Sequence, residues 1–143
     1  MDRDTRIAVR DRLLARLRTG DPLIMGILNV TPDSFSDGGV HDSLARALSH
    51  AEQMRIEGAD ILDIGGESTR PGGEAVSLED EWARVAEPIA RLASEEALPV
   101  SIDTYKAEIV RRAAEAGAVL ANDVWGMSRD AQMADAVAET ESL

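Results

Sequence analysis

The stretch IMGILNVTPDSFSDGG, residues 24–39, decides the fold. It begins with a short apolar run, which is typical of a buried strand. The run ends at Asn29 in a polar loop that contains Pro32, Asp33, Asp37 and a Gly-Gly pair. A polar loop after a buried strand is where α/β proteins place binding and catalytic residues. The stretch therefore predicts an α/β fold and the position of its functional site.

The same strand–loop–helix pattern recurs along the chain. Apolar runs at 59–66, 98–103 and 118–124 predict three further strands, and the segments between them have helical periodicity. One helix, near 5–18, precedes the first strand, and a last helix covers about 130–139. Strands that alternate with helices predict a parallel sheet covered by helices. The strands are continuous apolar runs, as expected when both faces of a sheet are buried.

Composition limits the class of protein. The chain has 143 residues, the size of one domain, and its net charge of −12 argues against nucleic acid or an anionic membrane as a partner. It has no apolar run long enough for a signal peptide or a membrane span, so a cytoplasmic protein is expected. The lack of cysteine excludes disulfides and thiolate metal sites. We divide the chain into an N-terminal helical segment, residues 1–20, and a β/α domain, residues 21–143.

Every predicted strand ends in polar residues. These are Asn29, Glu67, Asp103 and the pair Asn122-Asp123. The carboxyl ends of parallel strands lie at one edge of the sheet, and ligands bind there. The four strand ends are therefore predicted to surround one ligand, although tens of residues separate them in sequence.

Asp103 has the most specific chemistry of these residues. An ionised carboxylate can accept two N–H bonds from an amidine-like edge, such as that of a 2-amino-4-oxo pterin or a guanine. Asn122, one strand away, can donate and accept hydrogen bonds to the same heterocycle. The alternative is that Asp103 or Thr104 only caps the following helix. Trp125, just past the fourth strand, is predicted to pack in the core, with stacking as the alternative.

The loops after the first two strands have donors for a metal ion and for phosphate. Asn29, Asp33 and Asp37 offer oxygen atoms that suit Mg2+, although the same residues could simply stabilise turns. The loop GGESTRPGG, residues 65–73, combines glycines that allow close backbone approach with Arg70, whose guanidinium suits phosphate oxygens. A glycine-rich loop alone is weak support for this interpretation.

Four blocks of sequence, taken together, resemble the bacterial dihydropteroate synthases. In chain order they are MGILNVTPDSFSDGG, GADILDIGGESTRPG, VSIDTYK and GAVLANDVWG. The resemblance extends over about residues 23–138. It implies a (β/α)8 barrel that joins (7,8-dihydropterin-6-yl)methyl diphosphate to 4-aminobenzoate in folate synthesis, with Mg2+ as cofactor. It also implies that the full-length enzyme is a homodimer.

The resemblance implies a role for nine residues of this chain. They are Asn29 at the metal and diphosphate, Asp103 and Asn122 at the pterin, Thr69 at the diphosphate, Asp37 and Arg70 as catalytic residues of two mobile loops, and Phe35, Ser68 and Pro71 around 4-aminobenzoate.

The chain departs from this family in length. A (β/α)8 barrel has eight strands and roughly 250 residues, whereas this sequence predicts four strands. We therefore expect the first half of a barrel that is incomplete and inactive alone, with its first and fourth strands as open edges that reduce stability or favour assembly of two halves. Two alternatives remain open. One is a truncated, non-catalytic pterin-binding remnant, and the other is a corrinoid-type pterin methyltransferase relative, against which Phe35 and the STRPG loop argue.

Overall fold

The computed structural model describes residues 1–31, 40–67, 75–94 and 98–143. Within these ranges, four parallel strands form one sheet in the order β1-β2-β3-β4, with helices between successive strands and at both ends of the chain. This confirms the predicted order of elements. The elements are α1 (Arg3–Thr19), β1 (Met25–Asn29), α2 (Val40–Ile56), β2 (Ile61–Gly65), α3 (Leu78–Ser94), β3 (Val100–Asp103), α4 (Ala107–Ala116), β4 (Leu120–Asn122) and α5 (Met133–Thr140).

The strand register places the last residues of all four strands side by side. Asn29 pairs with Gly65, Gly65 with Asp103, and Asp103 with Asn122. We call these four residues the carboxyl-end row. The residues one position earlier in the first three strands belong to the core against the helices: Leu28, Ile64 and Ile102. Because successive side chains of a strand alternate between faces, the row points to the opposite face of the sheet.

The face of the sheet opposite α2, α3 and α4, the helices between the strands, is only partly covered. Ile27 of β1 lies on this face and is 62% exposed. Leu13 of α1 covers another part of this face, at Ile61, and it also packs with Val119. The N-terminal helix therefore shares a core with the sheet.

The two outer strands are β1 and β4, as predicted. Leu143 lies along the outer edge of β4, where its N–H donates to the carbonyl of Val119 at 3.0 Å. The N–H of Ala121 in turn donates to the carbonyl of Leu143 at 2.9 Å. This is the bonding pattern of one parallel pair. The expected low stability or pairing of half barrels stays a prediction.

Polar side chains and glycines mark several helix ends. The hydroxyl of Ser77 accepts a hydrogen bond from the N–H of Asp80 at 3.1 Å, which caps α3. Gly58 and Gly117 have φ angles of 102° and 119°, the left-handed conformation that suits glycine after a helix. None of the helices in the described ranges has the length and apolar character that a membrane span needs.

Candidate functional site

Three residues predicted at one site lie together in the carboxyl-end row. Asn29 and Asp103 flank Gly65, and Asn122 lies beside Asp103. A Cβ atom added to Gly65 would lie 3.3 Å from Asn29 Oδ1 and 3.4 Å from Asp103 Oδ2. The two oxygen atoms therefore approach the space over Gly65 from both sides. A side chain at this position would crowd both of them.

Asp103 does not cap the helix that follows it. The N–H of Ala107, at the start of α4, donates to Asp130 Oδ2 at 2.9 Å, and the N–H of Lys106 donates to Thr104 Oγ1 at 3.2 Å. The carboxylate of Asp103 has no hydrogen-bond partner among the described residues. Asp103 was predicted either to cap α4 or to bind a ligand. The structure favours the second, because the carboxylate is available to a ligand.

The environment of Asp103 disfavours its charge. Burial is the main cause, followed by the charges of Asp63, Glu81 and Asp123, and together they raise its pKa to about 6. At pH 7 or above the carboxylate is thus largely ionised, with other acids around it. A ligand that offers N–H donors would stabilise this charge, because hydrogen bonds to a carboxylate favour its ionised form.

Asp63 was not predicted as a site residue. It lies on the same face as the carboxyl-end row, two residues before Gly65, and is 3% exposed. Its Oδ2 accepts a hydrogen bond of 2.9 Å from Asn122 Nδ2, whereas its Oδ1 is buried and finds no partner within the residues that the structure describes. The available signal was a single acid in an otherwise apolar run, ILDIG. The apolar pattern of that run predicts only a strand.

A second group of acids lies next to the row and has its own cation. Lys106 Nζ donates to Glu67 Oε2 at 2.6 Å, to the carbonyl of Val76 at 2.8 Å, and to Glu81. We call Lys106, Glu67 and Glu81 the Lys106 cluster. The hydroxyl of Tyr105 adds a hydrogen bond of 3.2 Å to Glu67 Oε1. Glu67, predicted to face the ligand, is instead engaged in ion pairing.

The loop after β4 corrects one prediction. Trp125 is 50% exposed and does not pack in the core. The guanidinium of Arg129 lies 5.0 Å from the centre of the Trp125 ring and 4.0 Å from that of Tyr105. Asp123 builds the turn, since its carboxylate accepts hydrogen bonds from the N–H groups of Trp125 and Met127 at 2.9 and 2.8 Å.

The other predicted site residues lie outside the described residues, and their roles stay predictions: Phe35, Asp37, Ser68, Thr69, Arg70 and Pro71. The same applies to Asp33, a predicted metal donor. In the part of the chain that the structure describes, no three histidine or acidic side chains form a group that could hold a metal ion. A role for Mg2+ is therefore also a prediction.

Most of the chain matches a known family. Residues 25–142 match the family model described as pterin binding enzyme. The chain belongs to the pterin binding enzymes. Dihydropteroate synthase of Bacillus subtilis (strain 168) is 56% identical over 117 residues, which are 82% of this chain and 41% of that protein.

Solved structures of the family agree with this assignment. Dihydropteroate synthase of Xanthomonas albilineans with 4-aminobenzoic acid superposes with a TM-score of 0.79 at 51% identity, and covers 85% of this chain. The same enzyme in complex with 7,8-dihydropteroate gives a TM-score of 0.73 at 48% identity, over 85% of this chain. The match covers 44% and 43% of those two chains.

This chain thus spans less than half the length of the relatives it matches. Its four parallel strands and their helices correspond to half of a (β/α)8 barrel. The carboxyl-end row then lies at the rim where barrels of this type bind their ligands.

Proposed function

We propose that this chain carries the N-terminal part of a dihydropteroate synthase. The enzyme would condense (7,8-dihydropterin-6-yl)methyl diphosphate with 4-aminobenzoate and release diphosphate. The observation that carries the proposal is Asp103, a carboxylate without a cation or hydrogen-bond partner among the described residues, in register with Asn122 at the carboxyl-end row. The solved relatives with 4-aminobenzoic acid and with 7,8-dihydropteroate support this choice of substrates.

Asp103 and Asn122 would bind the pterin. The 2-amino-4-oxo edge of a pterin presents adjacent N–H groups, and an ionised carboxylate accepts both. The pKa of Asp103 is raised to about 6 by burial and by neighbouring acids, so the ligand would relieve an existing repulsion.

The donors at the end of β1 fit a magnesium ion bound with the diphosphate. Mg2+ keeps several waters and is usually held by one or two protein oxygens together with substrate phosphates. Asn29 Oδ1, which approaches the space over Gly65, is an oxygen donor of this kind. Asn29 would hold the ion, with Thr69 and Arg70 as diphosphate ligands. When bound, Mg2+ would stabilise the negative charge of the leaving diphosphate.

The coupling needs positioning and fixed charge more than a nucleophile. The bond between the methylene carbon and the diphosphate oxygen breaks, and its electron pair leaves with the diphosphate. The amine of 4-aminobenzoate attacks the carbon and loses a proton. Asp37 would stabilise the pterin cation, and Phe35, Ser68 and Pro71 would hold 4-aminobenzoate. Positioned reactants and preorganised charge lower such barriers.

A non-catalytic pterin-binding protein is the second candidate. The observation behind it is the pairing of Asp103 with Asn122, which would bind a pterin whether or not coupling follows. Such a protein would retain the contacts of Asp103 and Asn122 without coupling the pterin to 4-aminobenzoate.

For the first candidate, we propose that the full-length enzyme is a cytoplasmic homodimer.

Calorimetry and a coupling assay test these proposals. The 143-residue chain is titrated with (7,8-dihydropterin-6-yl)methyl diphosphate in the presence of Mg2+, and product formation is measured after 4-aminobenzoate is added. Asp103→Ala should abolish binding, whereas Asp135→Ala, which removes an exposed acid of α5, should not change it. Binding without product is expected of both candidates, because the N-terminal part of the enzyme should be inactive alone, and product formation would contradict the non-catalytic candidate. A folded chain that binds no pterin, or an Asp103→Ala variant that binds normally, would contradict both.

A further inference from the structure

Asp63 is a buried acid that the fold does not explain. It is 3% exposed in the middle of β2, and the described residues give it no cation. In the described part of the chain its Oδ1 has no partner, and neither has the hydroxyl of Ser101, its register neighbour on β3. Burying a carboxylate with unfilled hydrogen-bonding capacity is costly. This cost indicates that Asp63 has a role in the functional site and does not serve to stabilise the fold.

A hydrogen bond to the Asp63 side chain fixes the orientation of the Asn122 amide. Asn122 Nδ2 donates to Asp63 Oδ2 at 2.9 Å. An amide nitrogen and oxygen have nearly the same shape, so shape alone would not decide which of them faces Asp63. A carboxylate only accepts hydrogen bonds, and the NH2 group of Asn122 must therefore face it. The amide oxygen is left without a partner among the described residues.

We propose that Asp63 is a positioning residue that holds the Asn122 amide with its oxygen available to the ligand. This inference rests on the proposed function and assigns a source of specificity within that site. Asp63 would not touch the ligand. It would act through the orientation of one amide.

The consequence is a row of hydrogen-bond acceptors. Asp103 and Asn122 lie side by side in the register, one with a carboxylate and the other with an amide oxygen available. Such a pair selects a heterocycle edge that carries N–H donors and disfavours an edge that carries oxygen acceptors. A 2-amino-4-oxo pterin should therefore bind better than the corresponding 2,4-dioxo compound. Sites built on buried polar groups discriminate strongly, because a mismatched ligand leaves those groups unpaired.

Asp63→Asn tests the proposal with little change of shape. An asparagine at this position can donate or accept, so it no longer dictates the orientation of Asn122. Asp123→Asn is the matched control. Both acids raise the pKa of Asp103, but the Asp123 carboxylate bonds to the turn at Trp125 and Met127, not to Asn122. Loss of charge near Asp103 is thus common to both variants, and loss of the amide contact belongs to Asp63→Asn alone.

Two measurements are made on the 143-residue chain. The first, without ligand, follows the side-chain NH2 signal of Asn122 in 15N-labelled protein. The NH2 group should lose protection from hydrogen exchange in Asp63→Asn and keep it in Asp123→Asn, where only the shift caused by the change of the neighbouring residue is expected. The second compares calorimetric binding of the 2-amino-4-oxo and 2,4-dioxo compounds. Their affinity ratio should fall by about tenfold or more in Asp63→Asn and change by less than about threefold in Asp123→Asn.

The outcomes separate this inference from the function on which it rests. An Asn122 signal that does not respond to Asp63→Asn overturns the positioning role, whether or not a ligand binds. An affinity ratio that falls equally in both variants also overturns it, because charge alone would then explain the preference. A wild-type chain that binds neither compound contradicts the proposed function, and the Asn122 signal still decides the contact.

Discussion

Two groups of buried acids lie next to each other at the carboxyl ends of the strands, and they differ in one respect. The Lys106 cluster contains a cation, which bonds to both Glu67 and Glu81. The Asp103 group, by which we mean Asp103, Asp63 and Asn122, has no lysine or arginine partner among the described residues. Its charged neighbours raise the pKa of Asp103, and all of them are acids.

The difference separates an acid that supports the fold from one that is available to a ligand. Burial lowers the pKa of Lys106, but hydrogen bonds from its ammonium to Glu67 and Glu81 outweigh this and raise it above its usual value. The cluster is therefore compensated by a cation within the protein, although Glu81 Oε1 is buried with no hydrogen-bond partner among the described residues. The Asp103 group is not, and a donor-bearing ligand would complete it. Both groups come from acids near strand ends, and only their partners distinguish them.

The largest expected effect comes from removing the cation of the Lys106 cluster. Lys106→Met would leave Glu81, which is 1% exposed, without its compensating charge. We expect the free energy of unfolding to fall by about 3 kcal/mol or more, because an uncompensated buried charge is costly. Urea denaturation followed by circular dichroism measures this change.

Two further variants check that interpretation. Arg55→Met removes the exposed ion pair with Glu52 and should change the stability by less than about 0.5 kcal/mol. Adding Glu81→Gln to Lys106→Met should recover much of the loss, since the orphaned charge is then absent. If Lys106→Met is as mild as Arg55→Met, the cluster does not support the fold.

The two glycines at the end of β2 should respond differently to alanine. A Cβ on Gly66 would lie 2.8 Å from Val85 Cγ1 and 3.2 Å from the carbonyl oxygen of Glu81, which requires the packing to shift. We expect Gly66→Ala to cost about 1–3 kcal/mol of unfolding free energy. The nearest atoms to a Cβ on Gly65 belong to the side chains of Asn29 and Asp103, at 3.3 Å and beyond.

Gly65→Ala should therefore retain most of the stability but weaken pterin binding. Thermal unfolding and calorimetry on the same two variants separate the effects. If Gly65→Ala unfolds the chain while Gly66→Ala only weakens binding, the roles of the two glycines are the reverse of those expected. Gly65 would then support the fold, and the space between Asn29 and Asp103 would not be the ligand site.

A smaller effect is expected from the charge of Asp103 itself. Its pKa is about 6 in the folded chain against 3.8 for an ordinary aspartate, so the folded state holds the proton more tightly. The favourable contribution of this group is complete below pH 4 and is lost as the pH rises through 6. Asp103→Asn should thus stabilise the chain at pH 8 by about 1 kcal/mol, allowing for solvent screening of a half-buried group, and by almost nothing at pH 4.

Chemical denaturation at the two pH values measures this effect, with Asp135→Asn as the exposed control. Equal stabilisation at pH 4 and pH 8 would show that the charge of Asp103 is not the cause.

Much of the fold and part of the site follow from local patterns. Periodicity predicted the order of elements because each strand is an apolar run and each helix has an apolar face. The carboxyl-end rule brought Asn29, Asp103 and Asn122 together, since parallel strands all end at the same edge. The register that aligns them depends only on strand pairing.

Local patterns could not predict which side chains form ion pairs or hydrogen bonds with each other. Glu67 and Asp103 both follow a strand, but Lys106, 39 positions after Glu67 in the chain, neutralises one and not the other. Asp63 was missed because its partner, Asn122, lies two strands away. Trp125 was predicted in the core because large apolar residues are usually buried, whereas it lies in an exposed turn beside Arg129.

The most direct test is the titration of Asp103 followed by the carboxyl carbon in 13C NMR, with and without a 2-amino-4-oxo pterin. The free chain should give a pKa of about 6, because burial and the neighbouring acids disfavour the charge. The ligand should lower it, because N–H donors stabilise the carboxylate. A pKa near 3.8 in the free chain, or one that the pterin leaves unchanged, would contradict the account.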